Sequence, residues 1–194
     1  MPGRTTRFLL AVGLVAAASA CGDSTGIRAN FQNREATMEL APVNGSSLTV
    51  PAAISIRGPE PARVDVNLAF DIAFDMDAGG AVTVYTVRAL ASEVLASVSR
   101  VGLQKDTTAY ALVAKAPLSG FVYDSSLTLG VGQTLLIDKL DGTCAQFGGA
   151  FLGYNIKAKL IIDSVDTAAR KIFVKILSNP NCGFRSLQPG LPKE

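Results

Sequence analysis

The chain of 194 residues carries 18 Lys and Arg against 16 Asp and Glu, with no tryptophan and no histidine. The missing histidine excludes Ser-His-Asp and Cys-His nucleophile pairs, His-ligated zinc and imidazole general-base chemistry together. A formal charge of +2 without a Lys/Arg cluster excludes the phosphate contacts that drive nucleic-acid binding.

Met1 to Arg7 holds Arg4 and Arg7 and no acid, and Phe8 to Ala17 is an apolar run shorter than the roughly 20 residues of a spanning helix. This order predicts a signal peptide over 1–20. Ala18-Ser19-Ala20-Cys21 resembles the lipobox of bacterial lipoproteins, in which the cysteine thiol is diacylated and the chain is cut just before it. The resemblance implies Cys21 as the lipid attachment site and a lipid bilayer as its partner. Ala18 stands where such signals usually carry Leu or another larger aliphatic residue. The same Ala18-Ser19-Ala20 satisfies the A-x-A site of ordinary signal peptidase, which would leave a soluble periplasmic protein.

Cysteine count favours acylation, because a free third thiol is unusual in an oxidising compartment. Cys144 and Cys182 then remain as an even pair for a disulfide. Gly22 is not the Asp that resembles an inner-membrane retention signal, so an outer-membrane anchor is expected. Residues 21–33 are expected to be the lipidated N-terminus and a flexible tether, since Gly22 to Asn33 is polar, turn-rich and without apolar period. Cleavage removes two arginines and no acid, leaving 16 basic against 16 acidic side chains. Residues 34–194 suit a single β-sandwich domain.

In chain order, Ala36, Met38 and Leu40 alternate, and after an Asn44-Gly45 turn so do Leu48, Val50, Ala52, Ile54 and Ile56. From Arg63 to Asp77 the alternation is unbroken. Val64, Val66, Leu68, Phe70, Ile72, Phe74 and Met76 fall on one face, with Asp65, Asp71, Asp75 and Asp77 on the other, predicting one long half-buried strand. Asp77-Ala78-Gly79-Gly80 is a turn signal, and Ala81 to Ala89 returns as the partner strand. Leu90, Val94 and Val98 have helical spacing between Arg88 and Arg100, and Val101 to Val113 is strand-like again. Phe121–Leu129 and Thr134–Leu140 flank Gly130-Val131-Gly132-Gln133 as a second hairpin. Ile156 to Ile162, alternating with Lys157 and Lys159, and Ile172 to Ile176, alternating with Lys171 and Lys175, form a third around Asp166 to Arg170. The fold class is therefore all-β, an antiparallel β-sandwich of immunoglobulin-like or jelly-roll type. A transmembrane barrel shares the alternation, but a lipid anchor, a disulfide and the charged tail Pro192-Lys193-Glu194 argue against it.

Chemistry-bearing patterns are sparse. Asp75-x-Asp77-x-Gly79 is the best metal candidate, since alternating carboxylates before a glycine turn can begin a calcium loop. The third oxygen ligand and the later glutamate of such a loop are missing, and turn chemistry accounts for the aspartates. Asp71, Asp75 and Asp77, or Asp138, Asp141, Asp163 and Asp166, offer acid pairs of the type that hydrolyse glycosides, although neighbouring acids are more simply a solvated face. Gly22-Asp23-Ser24-Thr25-Gly26 matches G-x-S-x-G by letter only, following no strand and having no histidine. Tyr85, Tyr110, Tyr123 and Tyr154 are candidate sugar stackers, more simply strand filling. No cofactor motif and no catalytic residue emerge.

The segments RVDVNLAFDIAFDMDAGGAVTVY, SGFVYDSSLTLGVGQTLLI and AKLIIDSVDTAARKIFVKILSNPNCGFRSLQPG are similar to uncharacterised β-rich envelope lipoproteins of Gram-negative bacteria. That resemblance implies a compartment and a fold but no activity. Two functions follow as expectations: a non-enzymatic envelope module binding another envelope protein or a polysaccharide, or a carboxylate-dependent hydrolase of envelope or extracellular polysaccharide.

Overall fold

The computed structural model describes residues 29–91, 99–147, 153 and 155–192. Two antiparallel sheets face each other. The six-stranded sheet has the order β1 (Arg34–Leu40), β11 (Lys171–Asn179), β10 (Asn155–Asp166), β9 (Thr134–Leu140), β6 (Val101–Asp106), β7 (Val122–Tyr123). The five-stranded sheet has the order β3 (Glu60–Ala62), β2 (Ala53–Ser55), β4 (Ile72–Met76), β5 (Val82–Thr86), β8 (Ser126–Leu129).

Period-two alternation builds the core between them. Ile72, Phe74 and Met76 of β4 and Val82 and Val84 of β5 meet Leu135 and Ile137 of β9, Leu160 of β10 and Val174 of β11 in one buried cluster. Two of the expected hairpins form: β4 with β5, in register through Phe74↔Val84, and β10 with β11, through Leu160↔Ile176 and Asp166↔Lys171. Between Ile162 and Ser164 the β10 register shifts by one residue, so Asp163 is extra on that strand. This bulge brings Val165 to the same core as Ile162, which strict alternation would forbid.

The alternating runs Leu48–Ile56 and Val101–Val113 are strand only over Ala53–Ser55 and Val101–Asp106, and three larger expectations are corrected. The long strand from Arg63 to Asp77 is only Ile72–Met76. Ahead of it Asn67 and Leu68 both take left-handed backbone, φ 49° and 50°, and the chain turns. The turn inverts the parity: Phe70 joins the smaller apolar cluster of Ala53, Ala73 and Val87 outside the sheet, while Asp71 is buried toward the sandwich interior. The second correction concerns Phe121–Leu129. Asp124, at φ 54°, breaks it into β7 in one sheet and β8 in the other, and Arg100 Nε donates to the Asp124 carboxylate at 3.0 Å to hold the break. Consequently β8 and β9 do not form a hairpin; Gly130–Gln133 carries the chain between sheets. Third, the strand expected over Ala81–Ala89 ends at Thr86, whose hydroxyl accepts from Ala89 N and caps a single helical turn, α1 (Val87–Leu90). Val94 and Val98 of the expected helix lie outside the described residues.

The outer face of the six-stranded sheet is covered in part. A 3-10 turn at Tyr110–Leu112 and the segment around Leu187 bury Tyr110, Val113, Ala116, Leu136 and Leu177. The same cover buries Lys159, and Phe121 with Asp138 encloses Lys157, although alternation places both on a polar face, whereas Lys171 and Lys175 remain partly exposed.

Residues 29–33, expected to belong to the tether, are docked. Asn181 Oδ1 accepts from Asn30 N at 3.0 Å and Phe31 N at 2.9 Å, and Asn181 Nδ2 donates to Phe31 O at 2.7 Å. Asn33 N donates to Gly190 O, and its side-chain amide donates to Ser186 O and Gln188 O. These asparagines satisfy backbone groups that a strand ladder would otherwise have to pair.

Candidate functional site

Three places concentrate polar chemistry. The first is a charge network at the end of the core beside the disulfide. Inward alternation on β9 puts Lys139 in line with Leu135 and Ile137, at 9 % exposure. Its Nζ lies 2.8 and 2.9 Å from the two oxygens of Asp71, itself 4 % exposed, and 3.8 Å from Asp141 Oδ2. Asp71 also accepts from Ile56 N at 2.7 Å. Asp141 accepts from Arg57 Nε at 2.8 Å and from the amide and hydroxyl of Thr143.

Cys144 and Cys182 are bonded next to this network, with their Cα atoms 5.5 Å apart, and Arg57 Nη2 stands 3.6 Å from Cys144 Sγ and 3.9 Å from Cys182 Sγ. The bridge joins the 3-10 segment leaving β9, Gly142–Phe147, to the turn after β11.

Burial alone would push the Asp141 carboxyl upward. The hydrogen bonds from Arg57 and Thr143, with the charge of Lys139, outweigh it and hold the carboxyl at about 2. A carboxyl depressed in the folded state stabilises the fold at pH values above its unfolded pKa of about 4, and that stabilisation is lost as pH falls through about 2. Acid titration of urea unfolding between pH 6 and pH 2 is expected to cost the wild type about 2 kcal/mol more than Asp141→Asn. Parallel curves for the two proteins would show that Asp141 is not held in this way.

The second place is on the outer face of the six-stranded sheet. Asp138 accepts from Tyr123 OH at 2.6 Å and from Asn155 Nδ2 at 2.7 and 2.8 Å, and pairs with Lys157 Nζ at 3.0 Å. Gly102 lies opposite Tyr123 in the ladder, where an added Cβ would stand 2.8 Å from the Phe121 Cβ and 3.1 Å from the tyrosine ring. Glycine is therefore required for this packing. Lys159 Nζ donates to the carbonyls of Tyr110 and Val113 at 2.9 and 2.8 Å and sits 4.6 Å from the Tyr110 ring centroid. Desolvation lowers the pKa of Lys159, with Glu35 opposing and Lys175 reinforcing the shift. Burial, together with the charge and hydrogen bond of Glu35, raises that of Tyr110. Both arrangements close their own donors and acceptors.

The third place is an open groove of about 390 Å³ where the loop after β1 meets the β10–β11 turn. Leu40, Ala41, Val50 and Ala169 give it apolar walls, and Ser46, Ser47 and Arg170 give it donors. The turn is shaped by Asp166, whose Oδ1 accepts from Ala169 N at 2.8 Å, and by Arg170 at φ 51°. Left-handed backbone is costly for arginine. Its side chain is used there, donating from Nη2 to Asn44 O at 2.6 Å and tying the two loops that frame the groove. Among the lining residues the one carboxylate is Glu39, ion-paired to Lys171 Nζ at 2.8 Å. The volume lies in the range of small-ligand sites.

Of the residues singled out in the sequence, Cys21, Ser24 and Tyr154 lie outside the described residues. Asp75 accepts from the amide and side chain of Asn44, and Asp77 Oδ1 from Gly79 N and Ala81 N, so both carboxylates shape loops. Asn44, which begins an Asn-x-Ser sequon, is held by that contact. Asp71, expected beside Asp75 and Asp77 on a solvent face, instead pairs inward with Lys139. Among the described residues no group of three or more Cys, Asp or Glu side chains is placed to hold a metal ion.

Comparison of the chain with protein-family models, with curated proteins and with solved structures finds no match.

Proposed function

We propose that the chain is a lipid-anchored envelope protein of the outer membrane that binds an envelope protein or polysaccharide without transforming it, and that the groove framed by Ser46 and Arg170 is where it binds. What supports this over glycoside hydrolysis is the condition of the carboxylates. Hydrolysis needs two acids facing each other across a cleft at a separation of about 5 to 9.5 Å. The groove has Glu39 alone, neutralised by Lys171, while Asp71, Asp138 and Asp141 are spent on buried cations and hydrogen bonds. Apolar walls with a few donors suit recognition of an amphipathic surface or a polymer segment.

A photo-crosslinking amino acid at Ala169 is expected to trap a discrete partner or glycan adduct in intact cells, and the same probe at Thr128, on the edge strand β8, is not. Adducts at Thr128 alone would move the binding surface to the sheet edge. Turnover of a polysaccharide that survives no Asp→Asn change at Asp138 would instead restore the hydrolase.

A further inference from the structure

The docked residues 29–33 fix where the chain leaves the sandwich on its way to Cys21. The inference rests on the anchored reading of Cys21 and goes beyond it, because anchorage alone leaves the orientation open. Seven residues, 22–28, separate Cys21 from Ala29, which is 6 % exposed and docked on the body. Eight Cα steps reach at most about 28 Å when fully extended and average about 15 Å as a flexible chain. The exit point is itself fixed. Asn181, 5 % exposed, holds Asn30 and Phe31 through three hydrogen bonds, is held in turn by Asn179 Oδ1, and precedes the disulfide-bonded Cys182. Asn33 repeats the clasp on Ser186, Gln188 and Gly190.

Register then places the groove. Arg34 pairs with Ser178 at the clasp end of β1 and β11, and Leu40 pairs with Ile172 at the other end, beside Lys171 and Arg170. Seven residues of strand separate the two ends by about 20 Å. At the clasp end Phe31 and Leu191 are 49 % and 50 % exposed, and at the groove end Leu48 and Val50 are 56 % and 43 % exposed, so the tether and its clasp, rather than apolar exposure, carry the orientation.

We propose that the Asn30–Asn181 end of the sandwich lies against the bilayer that holds the acyl chains, with Phe31 and Leu191 toward the lipid, so that the groove at Ser46 and Arg170 is presented away from it.

The test uses the full processed chain, purified from membranes, with an environment-sensitive fluorescent amino acid at Asn30 or Gln188 (clasp end) or at Ser47 or Ala168 (groove end). Each protein is reconstituted into phosphatidylethanolamine/phosphatidylglycerol vesicles carrying headgroup nitroxides. Intact mass is measured first. An unacylated chain overturns the anchor and the orientation with it. In acylated protein, quenching at Asn30 and Gln188 is expected to exceed that at Ser47 and Ala168 at least threefold. Equal or reversed quenching overturns the orientation while leaving the anchor standing. A 15-residue Gly/Ser insertion between Asp23 and Ser24, which touches no described residue, is expected to halve the contrast or more. An undiminished contrast would overturn the assignment of the orientation to the short tether and its clasp.

Discussion

Lys139→Ala is expected to destabilise the protein by about 3–5 kcal/mol, the range for removing one partner of a buried ion pair. The loss comes less from the attraction itself than from what stays behind. Asp71 is fixed by the Ile56 amide and sits at the sandwich interior, so without Nζ at 2.8 Å its charge has neither water nor cation to compensate it. Asp141 would keep Arg57 and Thr143 and is the lesser casualty. The paired change Asp71→Asn with Lys139→Met removes both charges, keeps comparable volume and leaves an amide oxygen to accept from Ile56 N, and should fall within about 1–2 kcal/mol of wild type. Urea unfolding of the single and double variants separates these terms. A Lys139→Ala protein as stable as wild type would mean that water reaches Asp71 and that the pair is not a buried one.

Lys139 also illustrates what alternation conveys and what it does not. Leu135, Ile137 and Lys139 share one face of β9, and the first two mark it as the core face, so the position of Lys139 is legible while its partner is not. Asp71 is 68 residues away, and period-two reading puts it on the opposite side of its strand because nothing in the letters reveals two successive left-handed residues at Asn67 and Leu68. Local pairings were legible wherever a turn signal sat between two alternating runs that stay in one sheet. Asp77–Gly80 and Asp166–Arg170 are such cases. Gly130–Gln133 has the same appearance but joins two sheets, since alternation identifies an inward face without saying which of two facing layers owns it.

The candidate groove and the clasp were the least legible features, for a related reason. Asn33, Asn179 and Asn181 look like turn formers in the sequence, and their amides are recruited to backbone groups up to 155 residues distant. Lys157 and Lys159 have the spacing of a solvated face and are buried because Phe121 and Asp138 enclose the first and the Tyr110–Val113 segment the second. Arg170 is no better marked, because nothing in the letters shows that it closes the turn between Asp166 and Lys171 in left-handed backbone or that its side chain reaches Asn44 O.

Reduction and alkylation of Cys144 and Cys182 are expected to lower the melting temperature by about 10 °C. Closing a loop of 38 positions restricts the unfolded chain by about 4 kcal/mol in the chain-entropy model, and a domain of this size moves by about 2–4 °C per kcal/mol. Calorimetry with and without reductant reads the shift; an unchanged melt would mean that the bridge adds nothing to stability. The bridge has a local consequence as well, because Cys182 follows the asparagine that holds residues 30 and 31. Once it opens, the segment from Asn179 to Gly183 keeps the Asn179–Asn181 hydrogen bonds and Gly183 N on Asn155 O, but loses its covalent tie to the end of β9. Hydrogen exchange at the Asn30 and Phe31 amides should therefore accelerate on reduction at temperatures where β10 and β11 remain fully protected. Retained protection at those two amides, with the melting temperature lowered, would assign the clasp to the asparagine side chains alone and confine the role of the disulfide to global stability.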